Sequence, residues 1–123
     1  MLKDSVLEVL QHEGPVAIVT HSDRGPHLVA TWASYIEIVD DTRLAIPAGG
    51  YRQTEQNLEA GSPVQMLLAS RDVKGSGEAG TGFRLTGHGT MVTEGDVYEQ
   101  IHDRFNWARA ALVIRVDKIA QLI

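Results

Sequence analysis

The chain has 123 residues, 43% of them apolar, enough for one hydrophobic core and too few for two domains. It contains no cysteine, which excludes disulfides, thiolate metal sites and cysteine-ligated iron–sulfur clusters. Its 16 acidic and 11 basic residues give a formal charge of -5, and Arg24, Arg43, Arg52, Arg71 and Arg84 stand singly, so no basic stripe is there to follow a nucleic-acid backbone.

Met1-Leu2-Lys3-Asp4-Ser5 lacks the basic start, apolar stretch and small-residue cleavage site of a secretory signal, so a cytoplasmic protein is expected. Ser5-x-x-Glu8 has the form of a capping box, and Val6, Leu7, Val9 and Leu10 follow at helical spacing until Gly14-Pro15 stops the pattern. From there the period shortens. Val16 to Thr20, His27 to Val39, Arg43 to Pro47, Val64 to Ser70, Phe83 to Thr93 and Ala110 to Val116 are rich in Val, Ile, Thr and aromatics, which predicts about six strands. Ser22-Asp23-Arg24-Gly25-Pro26 and Asp40-Asp41-Thr42 are short enough for hairpins, hence for antiparallel pairing. Two helical stretches interrupt the strands: Arg52 to Glu59, and Gly95 to about Trp107 with Val97, Tyr98, Ile101 and Phe105 on one stripe. The pattern fits one mainly β domain spanning residues 1–123, a small barrel whose ends are plugged by helices. The longest apolar runs, Ala110 to Ile114 and Pro15 to Val19, fall far below the roughly 20 residues of a membrane span.

Several motifs fail on context. Gly75-Ser76-Gly77-Glu78-Ala79-Gly80 satisfies G-x-G-x-x-G, but a strand-like segment follows where a dinucleotide fingerprint needs a helix, and Glu78 puts negative charge where phosphate would sit. A hairpin loop is the better reading. His12, His21, His27, His88 and His102 have no metal-ligand spacing, and neither Ser34 nor Ser70 lies in a nucleophile elbow. No metal and no catalytic residue is expected.

The informative segment runs from Thr31-Trp32-Ala33-Ser34-Tyr35 through Ile46-Pro47-Ala48-Gly49-Gly50 to Tyr51-Arg52-Gln53-Thr54. A strand with hydroxyls and a tryptophan is followed by one ending in Gly-Gly, and then by a helix start. Glycines let backbone approach a ligand, and the free N–H groups and dipole of a helix start favour an anion such as phosphate. The alternative is a plain strand-to-helix turn with Thr54 as N-cap and Arg52 solvated. On composition alone the two stand level.

GPHLVATWASY (residues 25–35), IPAGGYRQTEQN (46–57), GTGF (80–83) and WARAALVI (107–114) resemble, in order and across nearly the whole chain, the small FMN-binding proteins of sulfate-reducing bacteria. These lie within the split-barrel superfamily that includes pyridoxamine 5'-phosphate oxidase. The resemblance implies a six-stranded antiparallel split β-barrel with a few short helices, a homodimer, and one non-covalent FMN per subunit near the dimer interface. It implies that Thr31, Gly50, Arg52, Gln53 and Thr54 surround the ribityl phosphate, and that Ala48 and Gly49 face the flavin's polar edge. It further implies that Trp32, Tyr35 and Trp107 pack near the isoalloxazine, with Ser34 beside them and Glu13 close to the ring. Ile123 would cover the partner's flavin. Ser70 and Arg71 either reach the ligand or end a strand. One departure stands out: the family commonly carries lysine before the phosphate-loop threonine, and here that residue is Gln53.

Three functions compete. The favoured one is an electron-transfer flavoprotein that passes electrons to a redox partner protein. The second is an oxidoreductase, either a flavin reductase with a nicotinamide donor or an oxidase-like enzyme. The third is a non-flavin split-barrel binding module, which Gln53 keeps open.

Overall fold

The sheet begins where the helical period stops, at Pro15. In the computed structural model, which describes residues 1–75, 77 and 79–123, the elements run α1 (Asp4–Leu10), β1 (Pro15–Ser22), β2 (Gly25–Trp32), a 3-10 turn (Ala33–Tyr35), β3 (Glu37–Ile38), β4 (Arg43–Ala48), α2 (Arg52–Glu59), β5 (Val64–Lys74), β6 (Ala79–Val92), α3 (Asp96–Arg104) and β7 (Ala110–Gln121). All pairings are antiparallel, in one open sheet of order β2-β1-β5-β6-β7-β4-β3.

The sheet therefore has seven strands among the described residues, where six were expected. The stretch His27 to Val39, read as one strand, breaks at Ala33–Tyr35 because its backbone finds local partners. Ala33 N–H bonds the Gly14 carbonyl (2.9 Å), Ile36 N–H bonds the Ala33 carbonyl (3.2 Å), and Ser34 N–H bonds the Glu13 carboxylate (3.0 Å). These contacts withdraw three residues from any ladder, leaving β2 on one side and the two-residue β3 on the other.

Ile18 of β1, Leu44 and Ile46 of β4, Met66 and Leu68 of β5, Leu85 of β6, and Leu112 and Ile114 of β7 share one buried cluster. Strands from both ends of the sheet order thus meet in one core, so the sheet wraps on itself. Val6 and Val9 of α1 close that core. The expected capping box does not form: α1 starts at Asp4 with Lys3 as N-cap and no side-chain cap. Its start is fixed instead by Leu2, which is buried and whose N–H bonds the Asp41 carbonyl (2.8 Å).

β4 reads Leu44-Ala45-Ile46-Pro47-Ala48 because both of its faces are covered. One side meets the main core; on the other Ala45 and Ala111 pack with Ile101 and Phe105. Helix α3 ends at Arg104, short of the expected Trp107. Pro47 is tolerated because β3 pairs only as far as Ala45, leaving its edge of the strand open. Gly87 sits at a register shift between β6 and β7, where a side chain would run into the backbone of Arg115.

Candidate functional site

β4 delivers Ala48 to the turn that starts α2. Ala48 is buried, and its carbonyl accepts the Arg109 N–H (2.9 Å). Gly49 follows with the Trp107 ring lying on it; a β-carbon there would stand 3.1 Å from Trp107 Cε3, so glycine is what lets the indole seat. Tyr51 is the N-cap of α2 and, among the described residues, the only non-glycine with positive φ (61°). Such a residue is held by its surroundings at some energetic cost. Here its hydroxyl donates to the Ala30 carbonyl (2.7 Å), and burial pushes the phenol pKa up while the Thr31 hydroxyl opposes the shift.

The first bond of α2 runs from Glu55 N–H to the Tyr51 carbonyl (2.9 Å), so the amides of Arg52, Gln53 and Thr54 lie ahead of the ladder. Thr54 is not the N-cap. It sits inside the first turn, fully buried, and its Oγ1 is the one buried side-chain N or O among the described residues without a hydrogen-bond partner. An orphaned hydroxyl beside free helix-start amides suits an anionic oxygen ligand.

Thr31, Trp32, Tyr35, Gly49, Gly50 and Trp107 come together around a cleft of about 390 Å³, joined by Pro15, Ala30, Pro47 and Tyr51. Tyr35 and Trp107 have ring centroids 6.2 Å apart, and Phe105 backs both at 4.7 and 5.5 Å. Trp32 and Trp107 remain 49% and 51% exposed, so the cleft is apolar in wall but open in front. Among the described residues, none with an acidic or basic side chain lines it, the two tyrosines aside.

The other expected residues lie elsewhere. Ser34 is committed to Glu13: its hydroxyl and N–H donate to that carboxylate at 2.5 and 3.0 Å, and with Gly14 N–H they hold the Glu13 carboxyl below its usual range despite some desolvation. Arg52 is exposed. Gln53 Nε2 donates to Asn57 Oδ1 (2.8 Å), whose Nδ2 donates to buried Thr20 (3.0 Å). Ile123 sits at the far end of β5 and β6, where its carbonyl accepts the Thr81 hydroxyl (2.9 Å). Beside it are Ser70 and Arg71, which do not end β5, since the strand continues to Lys74.

The glycine segment joins β5 to β6, and a strand follows it as the hairpin reading requires; Ser76 and Glu78 lie outside the described residues. No group of residues among those described is arranged to hold a metal ion, and no helix is long and apolar enough to cross a membrane. Two residues escaped the sequence reading. Tyr51 stood in the helix-start segment and Arg109 within WARAALVI, but neither was assigned a role. The Arg109 guanidinium donates to the Gly50 carbonyl from Nε (3.0 Å) and Nη2 (2.8 Å) and pairs with Glu55 (3.0 Å).

A wrapped antiparallel sheet with an aromatic cleft at the glycine turn before α2 defines a protein of split-barrel fold. The chain belongs to the pyridoxamine 5'-phosphate oxidase family, whose model matches residues 2–122. It is 46% identical over 123 residues, the whole of both chains, to a protein of Nitratidesulfovibrio vulgaris (strain DSM 19637 / Miyazaki F) called FMN-binding protein. Among solved structures it resembles Group A Streptococcus HupZ, with a TM-score of 0.80 at 19% identity over 99% of this chain and 94% of that one. It also resembles an FMN-binding protein of Syntrophomonas wolfei, with a TM-score of 0.65 at 16% identity over 88% and 76% of the two chains.

Proposed function

We propose that the cleft binds FMN non-covalently and that the protein carries electrons as a homodimer. One observation carries the first part: the orphaned Thr54 hydroxyl and the free amides of α2 stand at the Gly49–Gly50 turn that helps wall an aromatic cleft. An anion and a flat ring are thereby accommodated side by side. The relative that matches this chain end to end is itself called FMN-binding protein, which supports the same ligand.

Gly50, Arg52, Gln53 and Thr54 would hold the phosphate through backbone N–H groups and the Thr54 hydroxyl, with buried Thr31 nearby. Trp32, Tyr35 and Trp107 would pack on the ring and exclude water from it. When bound, FMN supplies the redox chemistry; the protein sets its surroundings. The carrier reading is favoured because, among the described residues, the wall of the cleft offers no carboxylate, imidazole or amine to move a substrate proton.

The homodimer rests on an apolar face. Leu28, Ala30 and Trp32 alternate outward on β2; Pro15, Ala17 and Val19 oppose them on β1, and Leu67 lies across from Ala17 on β5. Leu28 is 66% and Leu67 47% exposed, and the face runs straight into the cleft through Pro15, Ala30 and Trp32. A patch of this kind marks an interface. A second copy laid on it would cover the open front of the cleft.

Titration of the flavin-free protein with FMN, FAD and riboflavin tests the ligand. FMN should bind about ten- to a hundredfold more tightly than riboflavin, the range expected for hydrogen bonds to a charged phosphate. Equal affinities would sink the phosphate site, and binding of none would leave a non-flavin module. The half-exposed Trp32 and Trp107 favour one rival, a flavin reductase with a nicotinamide donor, because they leave room for a second ring. Steady turnover of NADH by the FMN-loaded protein would establish that oxidoreductase in place of the carrier.

A further inference from the structure

We infer that Arg109 is a positioning residue for the phosphate end of the cleft, which keeps the Tyr51 N–H and the Thr54 hydroxyl free for an anionic ligand. The inference rests on the flavin reading above and extends it to a residue that does not line the cleft.

Two donors of the Arg109 guanidinium, Nε and Nη2, converge on the Gly50 carbonyl at 3.0 and 2.8 Å. Both donors belong to one planar guanidinium and reach the oxygen from the same side, so the fork fixes the direction in which the carbonyl points. Nη2 also reaches Glu55 (3.0 Å) in the first turn of α2, and the pair is only 21% and 26% exposed. Arg109 thus grips the residue before Tyr51 and the helix after it, bracketing the residue with φ 61°.

Two consequences follow from elementary geometry. A trans peptide is planar with its C=O and N–H pointing opposite ways, so fixing the Gly50 carbonyl toward Arg109 turns the Tyr51 N–H away from it. A threonine inside a helix commonly donates its hydroxyl to the carbonyl four residues back. For Thr54 that carbonyl is Gly50, which lies outside α2 beyond the left-handed Tyr51 and is held toward Arg109. That acceptor is held away from the helix start, and Thr54 Oγ1 has no protein partner. The cost falls on the empty site and is recovered when a ligand oxygen accepts the bond.

The test is a double-mutant cycle on the flavin-free protein, read by urea midpoint at one fixed protein concentration. Thr54→Val should raise the midpoint by about 0.5 M in the wild-type background, because it removes an unsatisfied buried group. In an Arg109→Gln background the Gly50 carbonyl is free to take the hydroxyl, and the same substitution should leave the midpoint unchanged or lower it. Arg109→Lys, which keeps the charge but loses the fork, repeats the cycle should Arg109→Gln fail to fold cooperatively. An equal Thr54→Val shift in both backgrounds overturns the inference, whatever the protein binds. With FMN as probe, Arg109→Lys should weaken binding about tenfold while riboflavin affinity stays within about twofold; a parallel loss for both also overturns it. Failure of the flavin reading is read separately, from a wild-type protein that does not prefer FMN to riboflavin.

Discussion

Thr54→Val sets two consequences of one buried oxygen against each other. The side chain is fully buried, and its hydroxyl has no partner in the protein. An unsatisfied buried polar group costs about 1–3 kcal/mol, and valine has nearly the same shape. The substitution should therefore stabilise the flavin-free protein by about 1 kcal/mol, which with a denaturant slope of about 2 kcal/mol/M moves the urea midpoint up by about 0.5 M. A hydrogen bond to a charged oxygen is worth about 1.5–3 kcal/mol, so the same variant should bind FMN about ten- to a hundredfold more weakly. Paired urea titrations and FMN titrations of the two proteins measure both. A variant less stable than wild type and equal to it in FMN affinity would refute the reasoning, because the hydroxyl would then be serving the fold and not a ligand.

Leu67→Glu places a charge on the apolar face of β5 and should weaken self-association by tenfold or more, seen as a shift toward monomer in sedimentation; an unchanged mass would remove that face from the interface. Asp40 has its pKa lowered from 3.8 to about 2, first by the Thr42 N–H and then by Arg43. A depressed carboxyl stabilises the fold fully above its unfolded pKa and loses that contribution as pH falls through the folded value. Asp40→Asn should thus lower the urea midpoint at pH 6, with the gap to wild type closing between about pH 4 and pH 2; a constant gap would contradict it. Glu13, held below the usual carboxyl range by the Ser34 hydroxyl and amide, stays ionised at neutral pH and should disfavour added electron density on a nearby flavin. Glu13→Gln should raise the midpoint potential of the bound cofactor, and an unmoved potential in spectroelectrochemistry would place the carboxylate out of range.

Elements with a strong period were legible in the sequence: α2 runs Arg52–Glu59 as expected, and every predicted strand has a counterpart. Boundaries failed where long-range contacts decide them. Nothing within residues 27–39 announces that Glu13 and Gly14 will capture the amides of Ser34 and Ala33 and break the strand. β5 and β6 extend past their predicted ends at Ser70 and Phe83, out to Lys74 and Ala79, across an irregular register where apolar alternation carries no signal. Of the residues named from the sequence, the two tryptophans, Tyr35, the two glycines and Thr31 do meet at one cleft. The placements of Arg109 and Tyr51 were not legible. An arginine reads the same whether it is solvated or folded back on a carbonyl 59 residues away, and no local rule expects Tyr51 in a conformation usually left to glycine.

Gln53 illustrates what a missing charge does and does not mean. A lysine expected there would have met phosphate as a point charge. Instead the Gln53 amide closes a polar chain through Asn57 to Thr20, both buried, and so fastens α2 to β1. Its side chain is occupied with holding α2, the helix whose start is proposed to meet the phosphate. The fixed cation near the turn is Arg109, itself turned to Gly50 and paired with Glu55. Attraction for an anion must then come mainly from amide dipoles and hydroxyls at short range, which salt screens far less than exposed opposite charges. FMN affinity should accordingly fall by less than about threefold between 0.05 and 0.5 M sodium chloride. In a Gln53→Lys variant the affinity at low salt should be higher and its decline steeper. A wild-type affinity that dropped tenfold over the same range would mean that a mobile cation, with exposed Arg52 the nearest available, reaches the phosphate after all.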